Sequence, residues 1–123
     1  MFDADKIQAA IGYKFKNDDL LKRAFTHSSY ANENCEEDNE RLEFLGDSIL
    51  NFAVAEYLFG IGEGADEGRL TKQRSALVSE QPLSRIAKSL GFEDSIFTCN
   101  KFNISSVIKR SIPHLLIFFY KIC

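Results

Sequence analysis

The sequence holds only 2 prolines in 123 residues, so little in it forces a helix to break. Its 3 cysteines, Cys35, Cys99 and Cys123, are odd in number, far apart and without C-x-x-C spacing. That suggests neither a disulfide framework nor a zinc site and leaves reduced, mostly structural thiols as the expectation. No stretch reaches the roughly 18 consecutive apolar residues of a membrane span, and the start, Met1 to Lys6, is too polar for a secretory signal. A soluble, cytoplasmic protein with no membrane partner is expected. A basic surplus is missing too: 15 Lys and Arg face 18 Asp and Glu, for a net charge of -3. As an average this argues against a phosphate-rich partner. The glycine-rich run from Gly60 to Gly68 lacks the G-K-[ST] ending of a phosphate-cradling loop, so it reads as a flexible connector.

What is present is one domain's length of chain, 45% hydrophobic, with apolar residues recurring at spacings of three and four. That pattern predicts an all-α fold. Asp3 or Asp5 caps a first helix carrying Ile7, Ala10 and Ile11, which Gly12 ends. Asn17 caps a second, with Leu20, Leu21, Ala24 and Phe25 facing inward. Tyr30 to Asp38 is polar and acidic and reads as an exposed loop. A long helix then starts at Asp38 or Asn39. Leu42, Leu45, Ile49, Phe52 and Phe59 form its core stripe and Leu50, Val54 and Leu58 a second apolar face, which predicts a central, buried helix. A fourth helix is predicted over Arg69 to Val78 and a fifth from near Pro82 to Gly91. Beyond Phe92 the signals weaken. Residues 97–107 mix β-branched and polar side chains, and residues 112–120 are strongly apolar around Pro113.

The modest net charge conceals a polarity. From Glu33 to Asp47 seven acidic residues face Arg41 alone, a balance of -6, whereas from Arg69 to Lys88 five basic residues face Glu80, a balance of +4. Such segregation suits a surface where cations gather at one place and phosphates at another. At about 100° per residue, Glu40, Glu43 and Asp47 fall within roughly 60° around the long helix. Carboxylates so placed repel one another, and a divalent cation such as Mg²⁺, which takes hard oxygen ligands and keeps several waters, offsets that cost. By spacing alone a solvated acidic face near a helix start accounts for the pattern equally well. Gly46 favours the first account slightly, because a glycine inside a helix costs on the order of 1 kcal/mol relative to Ala and so marks a close approach by another element.

The segment Asn39-Glu-Arg-Leu-Glu-Phe-Leu-Gly-Asp-Ser48 resembles the signature motif of the ribonuclease III family. Leu20-Leu-Lys-Arg-Ala-Phe-Thr-His-Ser28 is similar to the family's early helix, and Asp66 to Val78 to its stretch after the connecting loop; together the likeness covers roughly Ile7 to Phe92. The resemblance implies an all-helical endonuclease domain that forms a two-fold homodimer. Each centre would bind Mg²⁺, with Mn²⁺ as a substitute, and hydrolyse one strand of double-stranded RNA to 5'-phosphate and 3'-hydroxyl ends. By motif position it implies that Glu43 and Asp47 are metal ligands and the catalytic pair, that Glu40 and Glu67 are flanking acidic residues, and that Phe44 packs in the dimer interface. Arg69, Lys72 and Arg74 would contact RNA phosphates or simply stay solvated. His27 falls in a helix-packing element, which makes it a structural residue before a general base.

The likeness ends near Phe97. Members of the family complete the metal site with a second Asp and Glu on a late helix, and this sequence has no acidic residue after Asp94. Residues 1–96 therefore read as a partial endonuclease domain and residues 97–123 as a divergent tail in place of the last family helices, as a shifted reading frame or truncation would leave. With half of the ligand set, the expected function is a metal-dependent endoribonuclease of low or absent activity. The alternatives are a catalytically inactive dimeric module that binds RNA or serves as a scaffold, and a small helical interaction protein with no RNA role. Without a double-stranded RNA-binding module, duplex binding should be weak and salt-sensitive.

Overall fold

Six α-helices and one 3-10 turn order residues 2–99, the part of the chain that the computed structural model describes: α1 (Ala4–Ile11), α2 (Asp18–Ala24), α3 (Ser28–Asn34), α4 (Glu40–Ile61), α5 (Glu67–Leu77), α6 (Glu80–Ser89) and the turn Phe92–Ser95. The all-α expectation holds. The one β-type pairing among the described residues is an isolated parallel bridge between Thr26 and Phe97. Most of the tail, with Cys123 and Pro113, lies outside the described residues.

Local capping chemistry explains most helix ends. The Asp3 carboxylate accepts from the Lys6 N–H at 2.9 Å and the Asn17 side chain from the Leu20 N–H at 2.9 Å, each satisfying a donor that the first turn leaves without an internal partner. Gly12 ends α1 in the left-handed region at φ 68°, where a side chain would be strained. Asp66 caps α5 through the Arg69 N–H at 2.8 Å, so α5 starts before the predicted Arg69. Pro82 sits in the first turn of α6, where its missing N–H costs nothing. The connector is shorter than the glycine run implies. α4 continues to Ile61, and Gly62 then lies so tightly between the end of α4 and α5 that an added Cβ would meet the Leu58 carbonyl of α4 at 2.7 Å and Leu70 Cδ2 of α5 at 2.9 Å.

The core is not where the sequence pattern places it. Its buried cluster is Ile7, Phe15, Leu21, Ala24, Phe25, Ala87 and Phe92, drawn from α1, α2, α6 and the loops and turn between them. From α4 only Leu42 packs partly against this cluster. Along the rest of that helix Gly46, Leu50 and Leu58 are buried, but Phe52 is 60% and Phe59 81% exposed, and Leu45 is exposed as well. The predicted central, buried helix is thus a peripheral one that pairs with α5. Its apolar residues obey the helical period, and the period does not say what covers them. By length and composition alone α4 would suit a membrane span, with mean hydropathy 1.3 over its apolar window and only 17% of that window buried.

Two other expectations need correction. Tyr30 to Asp38 is helical up to Asn34, because His27 caps α3 and the buried Ala31 anchors it; a helix with one core residue has no apolar period to detect. Cys35 and Cys99 are exposed free thiols, not packed structural ones. The Cys99 thiol donates to Glu33 Oε2 at 2.9 Å, and that bond, with desolvation and the Glu33 charge, pushes its pKa up. The thiolate is the reactive form, so in Glu33→Gln iodoacetamide should alkylate Cys99 faster than in the parent chain near pH 8. Equal rates in a peptide-mapping time course would contradict the contact.

Candidate active site

The acidic side of α4 begins at its first residue. Asn39 stands before the helix, the Asp38 carboxylate accepts from the Glu40 N–H at 3.0 Å, and the first intrahelical bond runs from the Glu43 N–H to the Asn39 carbonyl at 2.8 Å. Glu40 and Glu43 occupy the first turn, where the helix dipole favours negative charge. Glu40 and Asp47 are exposed and Glu43 half-buried. A rise of about 1.5 Å per residue puts Glu43 and Asp47 about 6 Å apart along the axis, but Glu40 and Asp47 about 10 Å apart. The three carboxylates share a side of the helix without forming one cluster: among the described residues no group of three or more His, Cys, Asp or Glu side chains is placed to hold a metal ion. The unit that could face a cation is the pair Glu43 and Asp47, not the trio.

Phe44, on the neighbouring side of α4, is 79% exposed. It shares an open groove of about 680 Å³ with Arg23, Glu40, Arg41, Leu42 and Leu45. Glu67 lies elsewhere. As the first residue of α5 it accepts from the Thr71 hydroxyl at 2.9 Å and lines a mainly apolar groove of about 420 Å³ with Ala55, Leu58, Phe59, Leu70 and Arg74. Ala55 is twelve residues beyond Glu43, about 18 Å along the helix. Within one chain Glu67 and Arg74 therefore gather at the far end of α4 from Glu43 and Asp47. Arg69 and Lys72 are exposed on α5.

His27 is a helix cap. Its Nδ1 accepts from the Ser29 N–H at 3.2 Å and lies 2.9 Å from Ser29 Oγ, while its backbone N–H donates to the Phe97 carbonyl at 3.0 Å. Much of the acidic polarity is also committed within the fold. Lys22 pairs with Glu36 at 3.1 Å and Arg23 with Glu37, so the basic end of α2 holds the acidic segment that precedes α4. Sequence reasoning missed this strap. Its one signal was the closeness of Lys22 and Arg23 to an oppositely charged run, which does not show that the two segments meet.

Comparison with known proteins bears on the whole domain. A family model described as ribonuclease-III-like matches residues 17–112. Among curated relatives, Ribonuclease 3 of Listeria monocytogenes is 48% identical over 91 residues, covering 72% of this chain and 40% of that protein. Ribonuclease 3 of Geobacillus kaustophilus is 48% identical over 94 residues, covering 74% of this chain and 38% of that protein. The chain thus spans about two fifths of the length of these relatives. Among solved structures, the nuclease domain of ribonuclease III from Campylobacter jejuni superposes with a TM-score of 0.88 at 34% identity, covering 97% of this chain and 85% of that one, and is described for structural flexibility in a region involved in dimer formation. Dicer from Pichia stipitis superposes at 0.66 with 30% identity, over 88% of this chain and 49% of that one. Sequence likeness over most of the chain and a shared helical architecture point the same way as the Asn39–Ser48 motif: the chain belongs to the ribonuclease III family.

Proposed function

We propose that this chain carries half of a Mg²⁺-dependent endoribonuclease site for double-stranded RNA, yielding 5'-phosphate and 3'-hydroxyl ends. The observation that carries the reading is the pair Glu43 and Asp47, one turn apart at the open start of α4. Mg²⁺ usually takes one or two protein carboxylates and completes its shell with water and phosphate oxygens, so the pair fits as the protein's share from this helix. Bound there, the ion would lower the pKa of a water and offset charge growing on the phosphate. Glu43 and Asp47 hold it, Glu40 deepens the negative potential, and Arg69 and Lys72 on α5 meet phosphates of the duplex. Phe44, with Leu45, Phe52 and Phe59, takes the same side of a second copy, so the working unit is a homodimer.

Residues 95–123 contain no carboxylate side chain, so that stretch adds no acidic ligand to Glu43 and Asp47, and turnover by this chain alone is low. A labelled RNA duplex incubated with Mg²⁺, with Mn²⁺ and with EDTA tests the reading. Slow, staggered, metal-dependent products are expected, and Asp47→Asn should remove them. The missing second acidic pair favours a second reading, a catalytically inactive dimeric module that binds RNA or serves as a scaffold. Duplex binding that falls steeply with salt, with no products under any metal condition, would select it. No binding even at low salt would defeat both.

A further inference from the structure

Asn39 is 1% exposed although it opens a helix whose next two residues, Glu40 and Arg41, face solvent. An Asn at this position ordinarily turns its side-chain oxygen to a backbone N–H of the first turn. Here it makes no such bond, and the Asp38 carboxylate serves the Glu40 N–H instead. The Asn39 carboxamide is turned the other way, donating to the Ala24 carbonyl at 3.2 Å, while its backbone N–H donates to the Thr26 carbonyl at 3.0 Å. In return, Arg23 Nε donates to the Asp38 carbonyl at 2.7 Å. The two attachments are reciprocal: a side chain of α2 takes a carbonyl before α4, and the side chain at the start of α4 takes a carbonyl at the end of α2. That end of α2 is fully buried, with Leu21, Ala24 and Phe25 all at 0% exposure.

We infer that Asn39 is a positioning residue: its buried carboxamide, with Arg23 as counterpart, locks the rotation of α4 against the α2 core and thereby sets where Glu43 and Asp47 point. The physical need arises because little of α4 is buried in the single chain, and apolar contact alone is non-directional. The two attachments at the first turn are directional and so add orientation. The Asn39 carbonyl then starts the hydrogen-bond ladder at Glu43, so the lock and the acidic pair are coupled through one turn of backbone. The consequence for the site rests on the metal role proposed for Glu43 and Asp47.

Asn39→Asp separates a lock from a cap. Asp caps helices about as well as Asn, but an ionised carboxylate has no proton to donate and would face the Ala24 carbonyl oxygen. The expected result is amide hydrogen exchange at Glu43 that is faster by about ten-fold, the order of effect of one buried hydrogen bond lost, with exchange in α6 unchanged. In the cleavage assay the Mg²⁺ concentration for half-maximal rate should rise by a similar factor, more than the rate at saturating metal falls. Wild-type exchange at Glu43 in a folded Asn39→Asp chain overturns the inference. If that variant does not fold, Asn39→Ala, which removes the donor without adding a charge, carries the test, and wild-type exchange at Glu43 there overturns it equally. Faster exchange in a family of chains that show no metal-dependent cleavage supports the lock and removes the proposed function instead.

Discussion

Phe44→Arg is expected to abolish the proposed homodimer while leaving the stability of the monomer almost unchanged. Phe44 is 79% exposed in the single chain, so the substitution removes little that holds the fold, and exposed positions of this kind usually change stability by no more than about 0.5 kcal/mol. Self-association is different. Phe44, Leu45, Phe52 and Phe59 fall within about 100° around α4 and are all exposed in the single chain, the kind of apolar grouping that marks an interaction surface. Burying one Phe contributes about 1.5–3 kcal/mol, and a two-fold interface counts each residue twice. Losing both copies therefore costs about 3–6 kcal/mol, a rise of roughly two to four decades in the dimer dissociation constant. The buried guanidinium adds to the penalty. Sedimentation velocity across a concentration series measures this directly. A parent chain that stays monomeric at high concentration, or a Phe44→Arg chain that associates as the parent does, would remove the homodimer from the proposal.

Phe25→Ala has the opposite profile, with the loss falling on the fold itself. Phe25 is fully buried, edge-on to Phe92 at 5.4 Å between ring centroids and 6.0 Å from Phe2, and its carbonyl accepts from the Phe97 N–H at 2.9 Å. Truncating a core Phe costs about 3–5 kcal/mol, against a whole-domain stability of about 5–15 kcal/mol. The variant should unfold at much lower urea and lose a large share of its folded population near 37 °C. Phe52→Ala, tested under dilute conditions where the chain is monomeric, should differ from the parent by only a few tenths of a kcal/mol. The pair of variants locates the core. A larger loss at Phe52 than at Phe25 would mean that the domain is built around α4 after all.

Several features were legible in the residues because they depend on chemistry a few positions wide. Asp3 and Asn17 cap the helices they precede, and Gly12 takes the left-handed turn that ends the first. Such bonds form within four residues and need no partner from elsewhere. The motif from Asn39 to Ser48 named the family, and the comparisons bear that out over most of the chain. α3 was not legible, since its residues are polar and hold together through a His27 cap and one buried alanine. The strap from Lys22 and Arg23 was not legible either, because ion pairs across 14 residues depend on where the backbone turns.

The sequence by itself determined that this is a helical chain, where most helices begin, and that three carboxylates ride on one side of the longest. Those properties follow from the 3.6-residue period and from capping, both of which are local. Only the tertiary structure decided which apolar surfaces meet. It put the core among α1, α2 and α6, left the Phe44–Phe59 side of α4 uncovered, separated Glu67 from Glu43, and turned Asn39 inward to hold the rotation of α4. Periodicity marks a residue as apolar or acidic, but whether it faces the chain's own core, a second copy or an ion depends on contacts between segments far apart in sequence.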